Sequence, residues 1–223
     1  MNHKIKKKPW PTQKAMIQIY EKKLWGISDT NTDFYSGEGS HKNEFVAPYL
    51  THIISFLKSF NPPLRLLDLG CGDFNIGDKL TPYTASYTGV DIVPKLIERN
   101  QKIYQNKKVL FKCLDIAKDV LPVAHDCVIV RQVLQHLSNT EIKAVLPKLS
   151  KYKYLILTEH IPTQDFVPNL DIISGQGIRL KKKSGVDITK PPFSFKVKTE
   201  ILSFSTPLPD PKKGKIHTSI YIQ

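Results

Sequence analysis

Residues 65–74 read RLLDLGCGDF. A short apolar run carrying one acid breaks into Gly-Cys-Gly-Asp. Bounded in this way, the run predicts a buried strand. The two glycines let the backbone turn sharply and come close to a ligand. In an open sheet with helices on both faces, ligands sit just beyond the carboxyl ends of the strands. The rest of the chain therefore has to supply such a sheet.

It does so by alternation. YTGVDIV (87–93), KVLFKCLDI (108–116), DCVIVRQV (126–133) and KYLILTEH (153–160) read as further strands. PKLIERNQKIY (94–104) predicts a helix with proline at its start. SNTEIKAVLPKLSKY predicts another, capped by Ser138 or Thr140, with Glu141 three residues after Ser138. Strands separated by helices imply crossovers and a parallel sheet buried on both faces. EILSFSTP (200–207) and KIHTSIYIQ (215–223) flank a turn rich in proline, lysine and glycine. They predict an antiparallel pair at the sheet edge.

Upstream, NEFVAPYLTHIISFLKSF places Val46, Tyr49, Leu50, Ile53, Ile54 and Leu57 on one helical face, with Pro48 near its first turns. TQKAMIQIYEKKLW (12–25) aligns Met16, Tyr20 and Leu24 on a shorter helix. GISDTNTDFYSGEGS (26–40) has the composition of a loop, yet carries Phe34 and Tyr35.

The glycine turn is not a nucleotide-phosphate loop. Counting back from Gly77, Gly72 fits that pattern, but Asp78 stands where the lysine belongs. Nor is it a dinucleotide fingerprint, because Asn75 occupies the third glycine position. Asp68 and Asp73 flank the turn with negative charge, which suits a cationic or hydroxyl-bearing ligand better than a pyrophosphate.

LDLGCGD, followed by YTGVDIV and CLDIAKD, resembles the class I S-adenosylmethionine-dependent methyltransferases over roughly residues 40–160 and the terminal strand pair. The resemblance implies a doubly wound, mostly parallel α/β fold. Its seven strands would run in the order 3-2-1-4-5-7-6, with strand 7 antiparallel and an N-terminal helical arm added. It implies S-adenosyl-L-methionine as cofactor, with Asp68, Gly70, Cys71 and Gly72 at its methionine end. Asp91, with Ile92 beside it, would take the ribose hydroxyls, since an ionised carboxylate accepts two hydrogen bonds. Asp115 would accept from the adenine amino group, with Ile116 beside the ring. Each aspartate taken alone is equally a strand-end cap.

Methyl transfer from a sulfonium needs alignment, exclusion of water and, for some acceptors, a base. His136, in VRQVLQHLS after the fourth strand, is either a base or substrate contact or a structural hydrogen-bonder. Arg131 either holds the cofactor carboxylate or an anionic substrate, or forms a strand-end ion pair. Glu159 and His160, in TEHIP after the fifth strand, are proton acceptors or a polar strand exit. Phe34, Tyr35, Ser40 and His41 form either a lid over the cofactor or a helix-entry loop with buried aromatics. KPPF (190–193) lacks the acidic or amide residue of the D/N-P-P-Y/F motif and lies past the fifth strand, so it counts as a loop. No metal is called for.

The chain has 223 residues and a formal net charge of +13, which favours anionic partners. The lysines gather at Lys4 and Lys6 to Lys8, at Lys181 to Lys183, and at Lys212 and Lys213. Three scattered cysteines argue for a reducing compartment, taken as the cytoplasm. No apolar run is long enough for a signal peptide or a membrane span. Residues 1–40 are expected to be helix and lid loop, and 41–223 the methyltransferase domain, with 161–199 a substrate-facing insertion. The expected activity is methylation of an O or N atom on a small-molecule or glycan-type acceptor, acidic if the insertion lysines meet it. The alternatives are an RNA methyltransferase and a catalytically inactive binding domain.

Overall fold

The structure is a computed structural model that describes residues 10–27, 33–105 and 107–223. The basic tip at Lys4 and Lys6 to Lys8 and part of the 26–40 loop lie outside the described residues.

One seven-stranded sheet organises the fold. Its strands are β1 (Arg65–Leu69), β2 (Ser86–Asp91), β3 (Val109–Cys113), β4 (Cys127–Arg131), β5 (Tyr154–Ile161), β6 (Thr199–Pro207) and β7 (Lys215–Ile222). They lie in the order β3-β2-β1-β4-β5-β7-β6. All neighbours are parallel except β7, which runs antiparallel to both β5 and β6. This is the order the resemblance implies.

Side chains alternate across a strand, so each strand feeds two cores. Leu67 and Leu69 of β1, with Val128 and Val130 of β4, meet Ile142, Val145 and Leu149 of α6 (Asn139–Leu149). Leu66, Cys127 and Ile129 face the other way, onto Tyr49, Ile53 and Leu57 of α3 (Asn43–Lys58). Four of the six α3 positions expected from the sequence, Val46, Tyr49, Ile53 and Leu57, are buried, and the helix carries Pro48 without a break.

Boundaries moved where the backbone or side-chain chemistry intervened. The first helix, which becomes α1 (Thr12–Glu21), stops short of Leu24 because Lys23 adopts a left-handed φ of 52°. Leu24 is therefore exposed. The segment read as loop contains a helical turn, which becomes α2 (Glu38–His41). The α4 helix (Asn75–Leu80) follows the glycine turn, and α5 (Pro94–Ile103) follows β2. Of the two candidate caps for α6, Ser138 is used. Its side chain accepts from the Glu141 amide while the Glu141 carboxylate accepts from the Ser138 amide.

Replacing Ser138 with alanine removes one arm of this cap. Ser138→Ala is expected to lose about 1 kcal/mol of stability in urea unfolding, with the slope unchanged. An unaltered midpoint would show that the cap contributes nothing.

Candidate active site

The glycine turn closes against the next strand. Gly70 and Gly72 both take left-handed φ values, +79° and +54°. A Cβ at Gly70 would collide with Val133 Cγ2, and one at Gly72 with Ser36 Oγ. The amides of Gly70 and Cys71 both donate to the Val90 carbonyl, at 2.7 and 2.9 Å. This carries Gly72 to the tip of β2, where its amide donates to Asp91 Oδ2 at 3.1 Å. Asp91 Oδ1 accepts from the Val93 amide at 3.0 Å. Burial pushes the Asp91 carboxyl up to about 6 against these amide hydrogen bonds.

A cavity of about 360 Å³ opens beside this turn. Gly70, Cys71, Gly72, Asp91, Ile92, Asp115, Ile116, Arg131, Ser40 and His136, all named from the sequence, line it. Asp115 is held by its own turn. Its Oδ1 accepts from the Ala117 amide at 3.0 Å and its Oδ2 from Lys118 Nζ at 2.7 Å. Asp68 is not on the cavity wall. It lies below the turn and accepts from the Tyr87 hydroxyl at 2.8 Å. Burial pushes its carboxyl up to about 7, although the Tyr87 hydrogen bond and the Arg131 charge oppose this.

Arg131, at the tip of β4, is a buried cation that, among the described residues, has no carboxylate in hydrogen-bond reach. Its Nη2 donates to the Gly39 carbonyl at 2.6 Å, and its Nη1 to Ser40 Oγ at 3.2 Å and Gln132 Oε1 at 3.1 Å. The guanidinium lies 4.7 Å from the Tyr49 ring centre, and Nε has no partner. Every acceptor it has is neutral, which is costly for a buried charge.

The segment before α3 is fastened down by Asp73, whose part the sequence did not disclose. Asp73 Oδ2 accepts from His41 Nε2 at 2.6 Å and from the Ser36 amide at 2.9 Å. The Asp73 amide donates in turn to Ser36 Oγ at 2.8 Å. Burial raises the Asp73 carboxyl, but the His41 hydrogen bond and charge, with the Ser36 and Asn75 amides, outweigh it and leave the group below its ordinary range. Of the four expected lid residues, Ser40 reaches the cavity. Phe34 and Tyr35 pack behind it, on Tyr20 and His41 respectively.

The three base candidates part company here. His136 lines the cavity with its ring 5.2 Å from Trp25. Gln135 Oε1 accepts from the His160 amide at 2.8 Å, so its amide nitrogen faces His136 Nε2 at 3.2 Å. His136 Nδ1 donates to the Gly175 carbonyl at 3.1 Å. Burial pushes His136 down to about 4, so the ring is neutral at pH 7. Glu159 and His160 are not on the cavity wall. Glu159 accepts from the amides of Leu134 and Gln135, at 3.1 and 2.8 Å, and burial pushes its carboxyl up to about 8. His160 Nε2 donates to the Lys213 carbonyl at 2.6 Å. Both side chains are occupied with backbone.

Five of the residues lining the cavity came from distant sequence. Met16, Tyr20 and Trp25 arrive with α1 and the turn after it, and Gln176 and Ile178 from the 161–199 segment. Arg179, 1% exposed, fixes that segment by donating to the Leu137 carbonyl and Asn139 Oδ1, both at 2.8 Å. Met16 and Tyr20 already stood on the apolar face of α1 in the sequence. Nothing local marked Trp25, Gln176 or Ile178. KPPF forms a turn whose carbonyls of Lys190 and Pro191 accept from Asn169 Nδ2, away from the cavity.

Comparison with known proteins now places this geometry. Residues 67–152 match a family model described as a methyltransferase domain. The N-methyltransferase NodS of Bradyrhizobium japonicum WM9, solved with S-adenosyl-L-homocysteine, superposes with a TM-score of 0.68 at 14% identity, covering 94% of this chain and 98% of that one. Magnesium protoporphyrin IX methyltransferase from Synechocystis PCC 6803, solved with S-adenosylmethionine, gives 0.59 at 17% identity, with 96% and 98% covered. A protein from Pyrococcus horikoshii OT3, PH0226, gives 0.58 at 15%, with 90% and 98% covered. No curated protein matches in sequence. The fold is that of these solved methyltransferases, and residues 67–152 carry the match to the methyltransferase-domain model.

Two outcomes are expected from this geometry. Gly70→Ala needs a strained backbone and displaces Val133, so it is expected to destabilise the protein by about 2 kcal/mol or more in urea unfolding; an unchanged midpoint would contradict the packing. The second concerns acid. His136 titrates near 6.5 when unfolded and about 4 when folded, so the unfolded state binds more protons between those values. Stability is therefore full above about pH 6.5 and falls as the pH drops towards about 4, by at most about 3 kcal/mol. The loss between about pH 7 and about pH 5 is expected to shrink in His136→Asn, as read from urea midpoints.

Proposed function

We propose that the chain transfers a methyl group from S-adenosylmethionine to a nitrogen or oxygen atom of a small-molecule or glycan-type acceptor. The observation that carries this reading is Arg131: a buried cation at the cavity edge with only neutral partners and an idle Nε. A carboxylate docking there would give it the counter-charge it lacks. The cofactor has such a group at its methionine end. Asp91 stands at the β2 tip, where the ribose diol belongs, and Asp115 and Ile116 stand at the β3 end, where adenine belongs. Gly70 and Gly72 leave the turn without side chains on the ligand side. Asp68 acts from below, as an acid near Arg131.

When bound, the cofactor supplies an electrophilic methyl group on a positively charged sulfur. The protein's task is then to orient the acceptor and exclude water. His136 meets the acceptor as a neutral ring paired with Trp25. Its Nε2 already faces the Gln135 amide and its basicity is low, so it holds position better than it takes protons. Glu159 is a positioning residue for the 134–137 loop, and His160 holds the β7 turn. The 161–199 segment serves as the acceptor-facing insertion through Gln176 and Ile178, and Ser36 to His41 serve as the lid.

Calorimetry with S-adenosylhomocysteine tests the reading. Saturable binding is expected, weakened about tenfold or more by Asp91→Ala and by Arg131→Met. Absence of heat at high micromolar ligand would favour the inactive binding domain. Transfer of a labelled methyl group into an extract, with and without RNase, separates a small acceptor from RNA. Label lost with RNase would overturn the choice of acceptor.

A further inference from the structure

Exposed apolar side chains gather on two stretches of the chain. Among the described residues, six of the eleven large ones, Trp10, Leu24, Ile27, Val167, Leu170 and Ile173, belong to just two stretches, the N-terminal arm and the 161–199 segment. Trp10 is 59% exposed, Ile27 65% and Ile173 70%. Isolated exposed apolar residues need no explanation, but a group on two segments that meet does.

The two segments do meet, and both contribute to the cavity wall. Glu141 accepts from Thr12 of the arm and from Ser174 of the insertion. Further along, Gln176 Nε2 donates to the Leu24 carbonyl at 2.9 Å. Residues 174–176 therefore touch the arm at two points, through Glu141 to Thr12 and through Gln176 to Leu24. Ile173 precedes Ser174 and Trp10 lies two residues before Thr12, the two residues that share Glu141, while Leu24 and Ile27 follow the far end of α1. Thr12, Met16, Trp25 and Gln176 line the cavity.

Exposed lysines lie on the same two stretches. Lys14, Lys22 and Lys23 project from α1 and its end, and Lys181, Lys182 and Lys183 follow the insertion. Lys182 Nζ donates to the Asp171 carbonyl at 2.7 Å, which puts that run next to Ile173. Among the described residues, the exposed acids on the two stretches are Glu21, Asp33, Glu38, Asp165 and Asp171, and Glu38 pairs with Lys42. Asp171 Oδ1 is occupied by the Asn139 amide at 2.7 Å.

We propose that this rim docks on an anionic lipid surface, so that the cavity opens towards molecules held in that surface. Apolar side chains that include a tryptophan, interspersed with lysines, are the composition of segments lying at a headgroup boundary. A single-stranded RNA site would instead present stacked aromatics and arginines. This rim has one exposed aromatic, Trp10, and its only arginine, Arg179, is buried. The docking claim stands on the rim alone. Its consequence, an amphiphilic acceptor, rests on the methyltransferase reading.

Vesicle co-sedimentation with the full chain tests it. Binding is expected to vesicles of phosphatidylcholine mixed with phosphatidylglycerol, not to phosphatidylcholine alone, and to weaken with salt. Tryptophan emission should shift to the blue on binding in the wild type and not in Trp10→Phe, since Trp25 stays in the cavity. Neutralising Lys181 and Lys183 with glutamine should weaken binding about thirtyfold, at about 1 kcal/mol per lysine. Ile173→Ser should weaken it further. Affinity for S-adenosylhomocysteine should hold in every variant, which separates a lost surface from a lost fold or cofactor site. Equal binding to both vesicle types, none to the anionic ones, or capture of RNA without capture of vesicles would overturn the proposal.

Discussion

The site depends on how β1 ends. The amides of Gly70 and Cys71 share the Val90 carbonyl, so the chain leaves one strand by closing onto the tip of the next. Two left-handed glycines make that turn, and each is packed so closely that a single methyl group would collide with a neighbour. Everything downstream is placed by this closure: Gly72 against Asp91, Asn100 on the Gly72 carbonyl at 2.8 Å, and Asp73 in reach of His41. A parallel sheet buried on both faces gives the turn a rigid footing.

The acids near the turn differ in what they face. Asp91 is held on the cavity wall by amides and Asp115 by its own turn, so both present oriented oxygen atoms. Asp68 is roofed by the turn and bonded to Tyr87. Asp73 has turned away to hold the segment before α3. The buried Arg131 lies among them with, among the described residues, only neutral acceptors, so no ion pair within the fold balances its charge.

The loop after β4 is held from two sides. Glu159 takes its amides from β5, and Arg179 donates to its carbonyls from the insertion. Two charged side chains that look like chemistry in the sequence thus brace the backbone that presents His136. A strand exit such as TEHI reads the same whether its acid points to the cleft or the sheet. Which it does is fixed by the unpaired amides nearby, and a buried amide left unpaired is costly.

The strand order came only with the family resemblance; the sequence by itself determined the strands, the two-sided core and the strand-tip residues at the cavity. Those follow from local patterns: apolar runs of strand length, glycines where a chain must turn, acids just past a strand. Tertiary structure alone decided which polar groups face the cavity and what roofs it. Trp25, Gln176 and Ile178 reach the site from opposite ends of the chain, and Ser36 meets Asp73 across a fold contact. No periodicity records such meetings, because they are set by how finished elements pack and which buried hydrogen-bond partners remain free.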